Sequence, residues 1–335
     1  MAVSNTKYAF AVGRVRVLEN RLLDKGKFNR MLEAPSAEEA LKVLAESSYS
    51  IYLADGAGIH DFETILRKEI THVLSEFEKM SPQPELVSSM ALSYDSHNLK
   101  VLFKNKYLGL QNNEILFPCG TIPLHRLKGA VETSKFLGFP TPLRIACEKI
   151  VVEFMISRDP QLIDLSLDRA LFEMRLGISR KDRSGFLFGL FQRQIDLLNI
   201  STFLRVKVMD RSREFLKQAL VPGGLVDESL FIDCLDEGLE ALTSGLLSSS
   251  YREVVEEGLR EWRETGTAGY LEKLSDDFIT DYLQIGKYSP FGLEPLIGYL
   301  WGKQIEIKNI RLIMVGKTNG LPVEAIRGRL RNVYI

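Results

Sequence analysis

Three sets of an acid, an asparagine and a lysine recur along the sequence with the same internal spacing. The acid stands three residues before the asparagine, Leu or Ile follows the asparagine, and the lysine comes eight residues after it. The sets are Asp95, Asn98 and Lys106; Asp196, Asn199 and Lys207; and Glu306, Asn309 and Lys317. Residues three apart share one face of a helix, where the amide can donate to the carboxylate or to a backbone carbonyl of a neighbouring helix.

Two interpretations of the repeated asparagines are open. In the first, which we favour, each asparagine is a buried polar anchor that fixes its helix against a neighbour, since buried amides in proteins are hydrogen-bonded. In the second, the three copies converge on a shared axis and together grip a ligand or a partner. The first is a structural role and the second a binding role.

The same repeat sets the expected domain organisation. The asparagines are separated by 101 and 110 residues, and a Gly-Leu pair follows the sets at Gly109, Gly224 and Gly320. Single hydrophobic cores stop growing near about 250 to 300 residues, so a chain of 335 residues fits several domains better than one. We predict three similar helical units, at residues 1–115, 116–220 and 221–335.

Other side chains with reactive chemistry do not form a recognisable site. Gly316, Lys317 and Thr318 resemble the end of a phosphate-binding loop, but GxxxxGK[ST] requires glycine where Arg311 stands. The four histidines show no close pairing on one helix face, and no GxSxG motif occurs. Three cysteines without a CxxC pair argue against a disulfide framework. We predict no catalytic residue, no cofactor and no metal ion.

Helices must position these residues, because the hydrophobic period along the chain is helical. One stripe with spacings of three and four predicts an amphipathic helix that ends before Pro82 and Pro84. Its apolar members are Phe62, Ile65, Leu66, Ile70, Val73, Leu74 and Phe77. Further helices are predicted throughout, including continuous ones over residues 6–25 and 185–217. We predict an all-α fold; the run Ile310–Val315 is the one place where a short buried strand is an alternative.

Composition excludes several classes of protein. With 45% hydrophobic and 26% charged residues, the chain resembles an average folded protein rather than a disordered one. No apolar run approaches the ~18 residues of a membrane-spanning helix, and the N-terminus does not resemble a signal peptide. A net charge of −1 provides no general attraction to nucleic acid. We therefore expect a cytoplasmic protein without membrane insertion.

Charge is nevertheless segregated along the chain. Lys and Arg outnumber Asp and Glu by eleven to five from Arg169 to Lys217 and by seven to two from Lys303 to Ile335. The segment from Asp227 to Asp281 contains fifteen Asp and Glu residues and only four Lys and Arg residues. Solvated helix faces are the simpler explanation, and docking surfaces for partners of opposite charge are the other. Candidate docking residues in the first basic segment are Arg205, Arg211 and Arg213.

The sequence also resembles a known family at both ends. The matching segments are Tyr8–Arg16, Leu22–Met31, Asp95–Lys106, Pro290–Leu300, Glu306–Ile313, Gly316–Pro322 and Ile326–Arg331. In order and spacing these resemble the C subunits of the archaeal and bacterial V-type (A-type) ATPases, whose counterparts in eukaryotic vacuolar enzymes are called d subunits. The resemblance covers nearly the whole chain and is weaker between about residues 110 and 290.

This resemblance implies a non-catalytic part of a rotary motor. Members of the family have three similar helical domains around a pseudo-threefold axis, which form a funnel. The funnel lies on the cytoplasmic face of the membrane, on the ring of proteolipid subunits, and receives the central stalk subunits D and F. It transmits torque between ATP hydrolysis or synthesis and the transport of H⁺ or Na⁺.

Two functions of other classes remain as alternatives. One is a cytosolic helical-repeat scaffold that binds unrelated proteins. The other is a small-molecule enzyme with a site between helical domains, which would use Lys317 or one of the repeated acids. Co-purification with other ATPase subunits, together with no response to nucleotides, would favour the rotor over both.

Overall fold

The computed structural model of this chain describes residues 6–53 and 58–335. These residues form α-helices and short 3-10 helices and contain no β-strand, which confirms the all-α fold class. The chain divides into two compact units. The terminal unit comprises Met1–Pro84 and Glu253–Ile335, and the middle unit comprises Glu85–Arg252.

Eighteen α-helices are found in the described residues. The first nine are α1 (Ala9–Glu19), α2 (Lys25–Glu33), α3 (Ala37–Ala45), α4 (Ser50–Leu53), α5 (Phe62–Met80), α6 (Pro84–Ser88), α7 (Leu92–Leu108), α8 (Leu124–Thr133) and α9 (Thr141–Ser157). The others are α10 (Gln161–Ser179), α11 (Phe186–Val208), α12 (Arg213–Ala219), α13 (Glu228–Cys234), α14 (Leu239–Gly245), α15 (Arg252–Thr265), α16 (Gly269–Leu283), α17 (Glu294–Thr318) and α18 (Val323–Arg327). Helices α7, α11 and α17 carry the three repeated sets.

The helices predicted over 6–25 and 185–217 both end early, and a polar side chain caps the helix that follows each of them. The helix expected over 6–25 ends at Glu19, and α2 begins after Asp24, whose carboxylate accepts the Lys27 N–H at 2.8 Å. The helix expected over 185–217 is interrupted at Asp210, which has a left-handed φ of 50°. Ser212 then caps α12. Such N-caps satisfy free backbone N–H groups and favour a new helix start.

The middle unit has a core built from long helices. A cluster of buried side chains comes from α7, α8, α9 and α10 and includes Leu99, Phe103, Leu127, Ile150 and Ile163. All five side chains are removed from water, each contributing about 1.5–3 kcal/mol of hydrophobic stabilisation. This packing holds α7, and with it the first repeated set, in place.

The terminal unit is organised around α17. Most of this helix is buried, because it packs against α1, α2, α3, α5 and α16. Its Tyr299 ring stacks on Phe77 of α5 with the ring centroids 4.9 Å apart. The segment Ile310–Val315 belongs to this helix, so the alternative of a short strand there is wrong. A continuous apolar run fits either structure, and here a long helix buried on nearly every side explains it.

Candidate functional site

All three repeated asparagines make the same pair of hydrogen bonds. Each is 1% exposed, and its amide both donates to and accepts from the backbone of a single residue in a later loop. Asn98 bonds Phe117 at 2.7 and 2.8 Å, Asn199 bonds Val221 at 2.8 and 2.8 Å, and Asn309 bonds Arg331 at 3.0 and 2.9 Å. The amides therefore hold loop backbone in the interior, which favours the anchoring role over binding of a shared ligand.

The acids of the first two sets fasten the same loops a few residues further on. Asp95 accepts the N–H groups of Thr121 and Ile122, at 2.8 and 3.1 Å, and the Thr121 hydroxyl. Asp196 accepts the N–H groups of Leu225 and Val226, at 3.0 and 3.1 Å. Burial raises the pKa of both carboxyl groups above 3.8, while these donors act in the opposite direction.

Glu306, the acid of the third set, takes its donors from the opposite end of the chain. Its carboxylate accepts the Leu23 N–H at 2.5 Å and the Tyr49 hydroxyl at 2.8 Å. Lys303 adds an ion pair with Glu306 at 2.6 Å and another with Glu69 at 2.9 Å. Burial alone would lower the pKa of Lys303, but the two carboxylates raise it above 10.5, so the amine is charged. The third set is thus a buried ionic cluster, whereas the first two use neutral donors.

The three lysines bond to backbone carbonyls at the ends of other helices. Lys106 donates to the carbonyl of Val131 in α8 at 2.6 Å. Lys207 donates to the carbonyl of Leu235, just after α13, and Lys317 to that of Ala34, just after α2. Because the last carbonyls of a helix lack intrahelical partners and carry partial negative charge, a lysine there stabilises the helix end.

The Gly-Leu pairs of the repeat are not equivalent to one another. Gly109 and Gly320 lie eleven residues after their asparagines and have left-handed φ angles of 68° and 65°; Asp210 takes this place in the second set. Gly224 instead packs against Asp196, where a Cβ would lie 2.0 Å from a carboxylate oxygen. Gly120 lies against Asp95 in the same way. The Gly224 assignment was wrong because a dipeptide does not distinguish a helix end from a close backbone approach.

A pair of tyrosines belongs to these sites and was missed in the sequence. The Tyr251 hydroxyl donates to Asp196 at 2.6 Å, as that of Tyr49 does to Glu306. Each tyrosine follows a serine by two residues, and that serine, Ser47 or Ser249, accepts the tyrosine N–H. The shared pattern Leu-x-x-Ser-x-Tyr, at Leu44–Tyr49 and Leu246–Tyr251, was a detectable signal.

The three arginines proposed for docking have contacts within the chain. Arg213 donates to the Ile232 carbonyl and pairs with Asp233 at 3.2 Å. The guanidinium of Arg211 lies 5.6 Å from the centre of the Phe215 ring. Arg205, on α11, also has an interaction partner. These contacts use part of the positive charge and leave the docking role a prediction.

The residues of the suspected phosphate loop have structural partners as well. Arg311 lies within α17 and pairs with Glu63 at 2.6 Å, so the segment is helix rather than a loop around a phosphate. Residues 6–53 and 58–335 contain no group of three or more His, Cys, Asp or Glu that could hold a metal ion. Within the same residues no helix is long and apolar enough to cross a membrane.

Comparisons with known proteins agree with the family resemblance. Residues 11–329 match the family model described as ATP synthase (C/AC39) subunit. The C subunit of the V-type sodium ATPase of Enterococcus hirae is 28% identical over 96% of this chain and 97% of its own length. The C subunit of the A-type ATP synthase of Methanocaldococcus jannaschii is 28% identical over 98% of this chain and 88% of its own. The C subunit of the A-type ATP synthase of Methanothermobacter thermautotrophicus is 25% identical over 96% of this chain and 87% of its own length.

The match covers the repeated sets, both ends of the chain and the middle region where the sequence resemblance was weak. It confirms the predicted membership and, with it, an accessory rather than a catalytic role. This chain belongs to the ATP synthase (C/AC39) subunit family, as a C subunit of the V-type and A-type ATPases.

Proposed function

We propose that this chain is the part of the central rotor that couples the central stalk to the membrane ring of proteolipid subunits. It would lie on the cytoplasmic face, receive stalk subunits D and F, and transmit torque. The near full-length match to C subunits of these ATPases carries this proposal. Relatives are named both for a sodium ATPase and for ATP synthases, so the proposal covers H⁺ or Na⁺ transport in either direction.

The anchoring geometry supports a mechanical role. A part that carries torque must resist sliding of its helices, and close-packed interiors transmit strain. In this chain, a buried asparagine ties each of the three long helices to a later loop, and its lysine holds the end of another helix. The acids of the first two sets bond the same later loops, and Glu306 bonds the N-terminal segment. Since buried polar networks that are fully satisfied specify one arrangement, they suit a rigid coupler.

We further propose that the chain contains three similar helical units, one built on each of α7, α11 and α17. The common set of asparagine, acid and lysine bonds supports this organisation. In the third set, the bonding groups come from the N-terminal segment: the Leu23 N–H and the Tyr49 hydroxyl bond to Glu306, and the Ala34 carbonyl bonds to Lys317. In the other two sets, the acid and the lysine bond to residues that come later in the chain. The N-terminal segment would therefore complete the unit built on α17, although 1–115 was the first unit in the sequence-based division.

Reconstitution of the ATPase with and without this chain tests the proposed function. We expect the chain to co-purify with the stalk subunits and the proteolipid ring. Without it, the catalytic part should still hydrolyse ATP, but hydrolysis should no longer drive ion transport into vesicles. A complex that retains coupled transport in the absence of this chain would overturn the proposal.

A further inference from the structure

A cleft in the terminal unit lies beside the anchoring network of the third set. It has a volume of about 500 Å³ and lies among α1, α2, α5 and α17 and the segment that joins α3 to α4. Its apolar lining includes Leu18, Val73 and the stacked pair Phe77 and Tyr299. Ile51 also lines the cleft and is 65% exposed, so an apolar surface is open to solvent.

Two of the cations that line this cleft are not held by an ion pair. Three carboxylates line it, and each already has a cation: Glu46 pairs with Arg30, Glu69 with Lys303, and Glu76 with both Arg14 and Lys79. Arg21 and Lys27 line the cleft too, and neither makes an ion pair with a described residue, although Lys27 adds to the effect of Arg30 in lowering the pKa of Glu46. The wall therefore offers two cations to an incoming group. The cleft thus combines an exposed apolar surface with two cations.

We propose that this cleft binds a helical segment of a protein partner that carries an apolar side chain flanked by acidic residues. The apolar side chain would pack beside Ile51 and Phe77, and the acids would pair with Arg21 and Lys27. Arg21 lies in the link after α1 and Lys27 lies in α2, so each can pair with a different acid of one peptide. A ligand with a single charged group could not pair with both. The inference rests on the proposed function as part of a protein assembly.

Peptide binding to the isolated full-length chain tests this inference. The probe is a fluorescein-labelled helical peptide with leucines on one face and flanking glutamates, and its counterpart has glutamine in place of every glutamate. Fluorescence anisotropy should show saturable binding of the glutamate peptide that weakens with added salt. Absence of saturable binding, or equal affinity for the two peptides, would overturn the proposal.

Charge reversal locates the binding. Arg21→Glu with Lys27→Glu should weaken binding of the glutamate peptide by about tenfold or more, because attraction becomes repulsion. Ile51→Ser should weaken it as well. The matched control is Lys25→Glu with Lys42→Glu, two exposed lysines of the same region that do not line the cleft. Equal binding by the cleft and control variants would contradict the proposed location.

Assembly distinguishes failure of this inference from failure of the proposed function. If the wild-type chain joins the ATPase but does not bind the peptide, the cleft proposal fails and the rotor role stands. If the chain binds the peptide as expected but does not join the ATPase, the rotor role fails and the cleft remains a docking site for an acidic helical segment.

Discussion

Asn199 makes two hydrogen bonds to the backbone of one neighbour. It donates to the Val221 carbonyl and accepts the Val221 N–H, both at 2.8 Å and both in the interior. Deleting such a side chain leaves two backbone groups without partners and with little access to water. The cost of a buried unsatisfied group exceeds the net gain from an average hydrogen bond.

We expect Asn199→Ala to lower the free energy of unfolding by about 1–3 kcal/mol, because the Val221 N–H and carbonyl lose their partners. A urea titration followed by circular dichroism measures the change. Asn112→Ala is the control, because Asn112 is exposed. A midpoint for Asn199→Ala equal to that of the control would argue against an anchoring role.

Cys147 provides a second test at the level of a single residue. The side chain is fully buried, and burial, with a smaller effect of Glu148, raises the pKa of its thiol to about 12. Only the thiolate reacts, and a raised pKa means that the thiolate forms only at strongly alkaline pH. We expect alkylation by iodoacetamide to stay slow in the folded protein from about pH 7 to pH 9.

Mass spectrometry of Cys147 peptides measures this labelling. In guanidinium chloride the same thiol should react rapidly and faster with rising pH, since its pKa returns towards about 8.5. Rapid labelling of Cys147 under native conditions would show that its surroundings open readily.

The contact between α11 and the loop that follows it depends on a glycine, because Gly224 has no side chain. The Leu225 and Val226 N–H groups reach Asp196 because Gly224 allows the backbone to come close. A Cβ on Gly224 would lie 2.0 Å from the Asp196 carboxylate. That carboxylate cannot move aside without losing its three donors.

We predict that Gly224→Ala destabilises the protein by at least about 2 kcal/mol, because the clash breaks the bonds between α11 and the loop. Gly177→Ala is the matched control: Gly177 lies in α10, and a Cβ there meets open space. This control should be neutral or stabilising by up to about 1 kcal/mol, since alanine favours helix. Thermal unfolding of both variants decides the matter, and equal melting temperatures would contradict the prediction.

For the whole molecule, the segregation of charge along the chain is in part balanced inside the chain. Arg213, from the basic segment, pairs with Asp233 and Asp236 of the acidic segment, at 3.2 and 3.8 Å. These groups are largely exposed, so the pairs add little to stability. Charge that remains on the surface can still steer a partner.

We expect Arg211→Glu with Arg213→Glu to weaken assembly with the other subunits of the ATPase, and more strongly at low salt. Exposed charges are screened beyond about 8–10 Å at physiological ionic strength. Pull-down across a salt series measures the effect, and circular dichroism checks that the variant is folded. Asp233→Asn is the control, because it removes one of the two internal pairs of Arg213 and keeps the arginines. Wild-type assembly at every salt concentration would mean that this face is only solvated.

Local patterns in the sequence determined much of this protein. The stripe Phe62–Phe77 predicted α5 and six of the residues that it buries, because a period near 3.6 places every third or fourth residue on one face. The burial of Glu69 was not predicted. The spacing of Asn98, Asn199 and Asn309 identified positions that share a bonding pattern. The first feature lies within a single helix, and the second recurs with the same local spacing of residues. Both can therefore be recognised without knowing the fold.

Only the tertiary structure decided which distant segments the repeated residues hold. Glu306 bonds Leu23 and Tyr49, which lie 283 and 257 positions away, and Lys317 bonds Ala34, also 283 positions away. The cleft with Arg21 and Lys27 likewise brings Tyr299 beside the N-terminal helices. Periodicity records which face of a helix is apolar, but it does not record which remote helix covers that face. That choice is made by the packing of the whole unit, in which the start of the chain is joined to its last long helix.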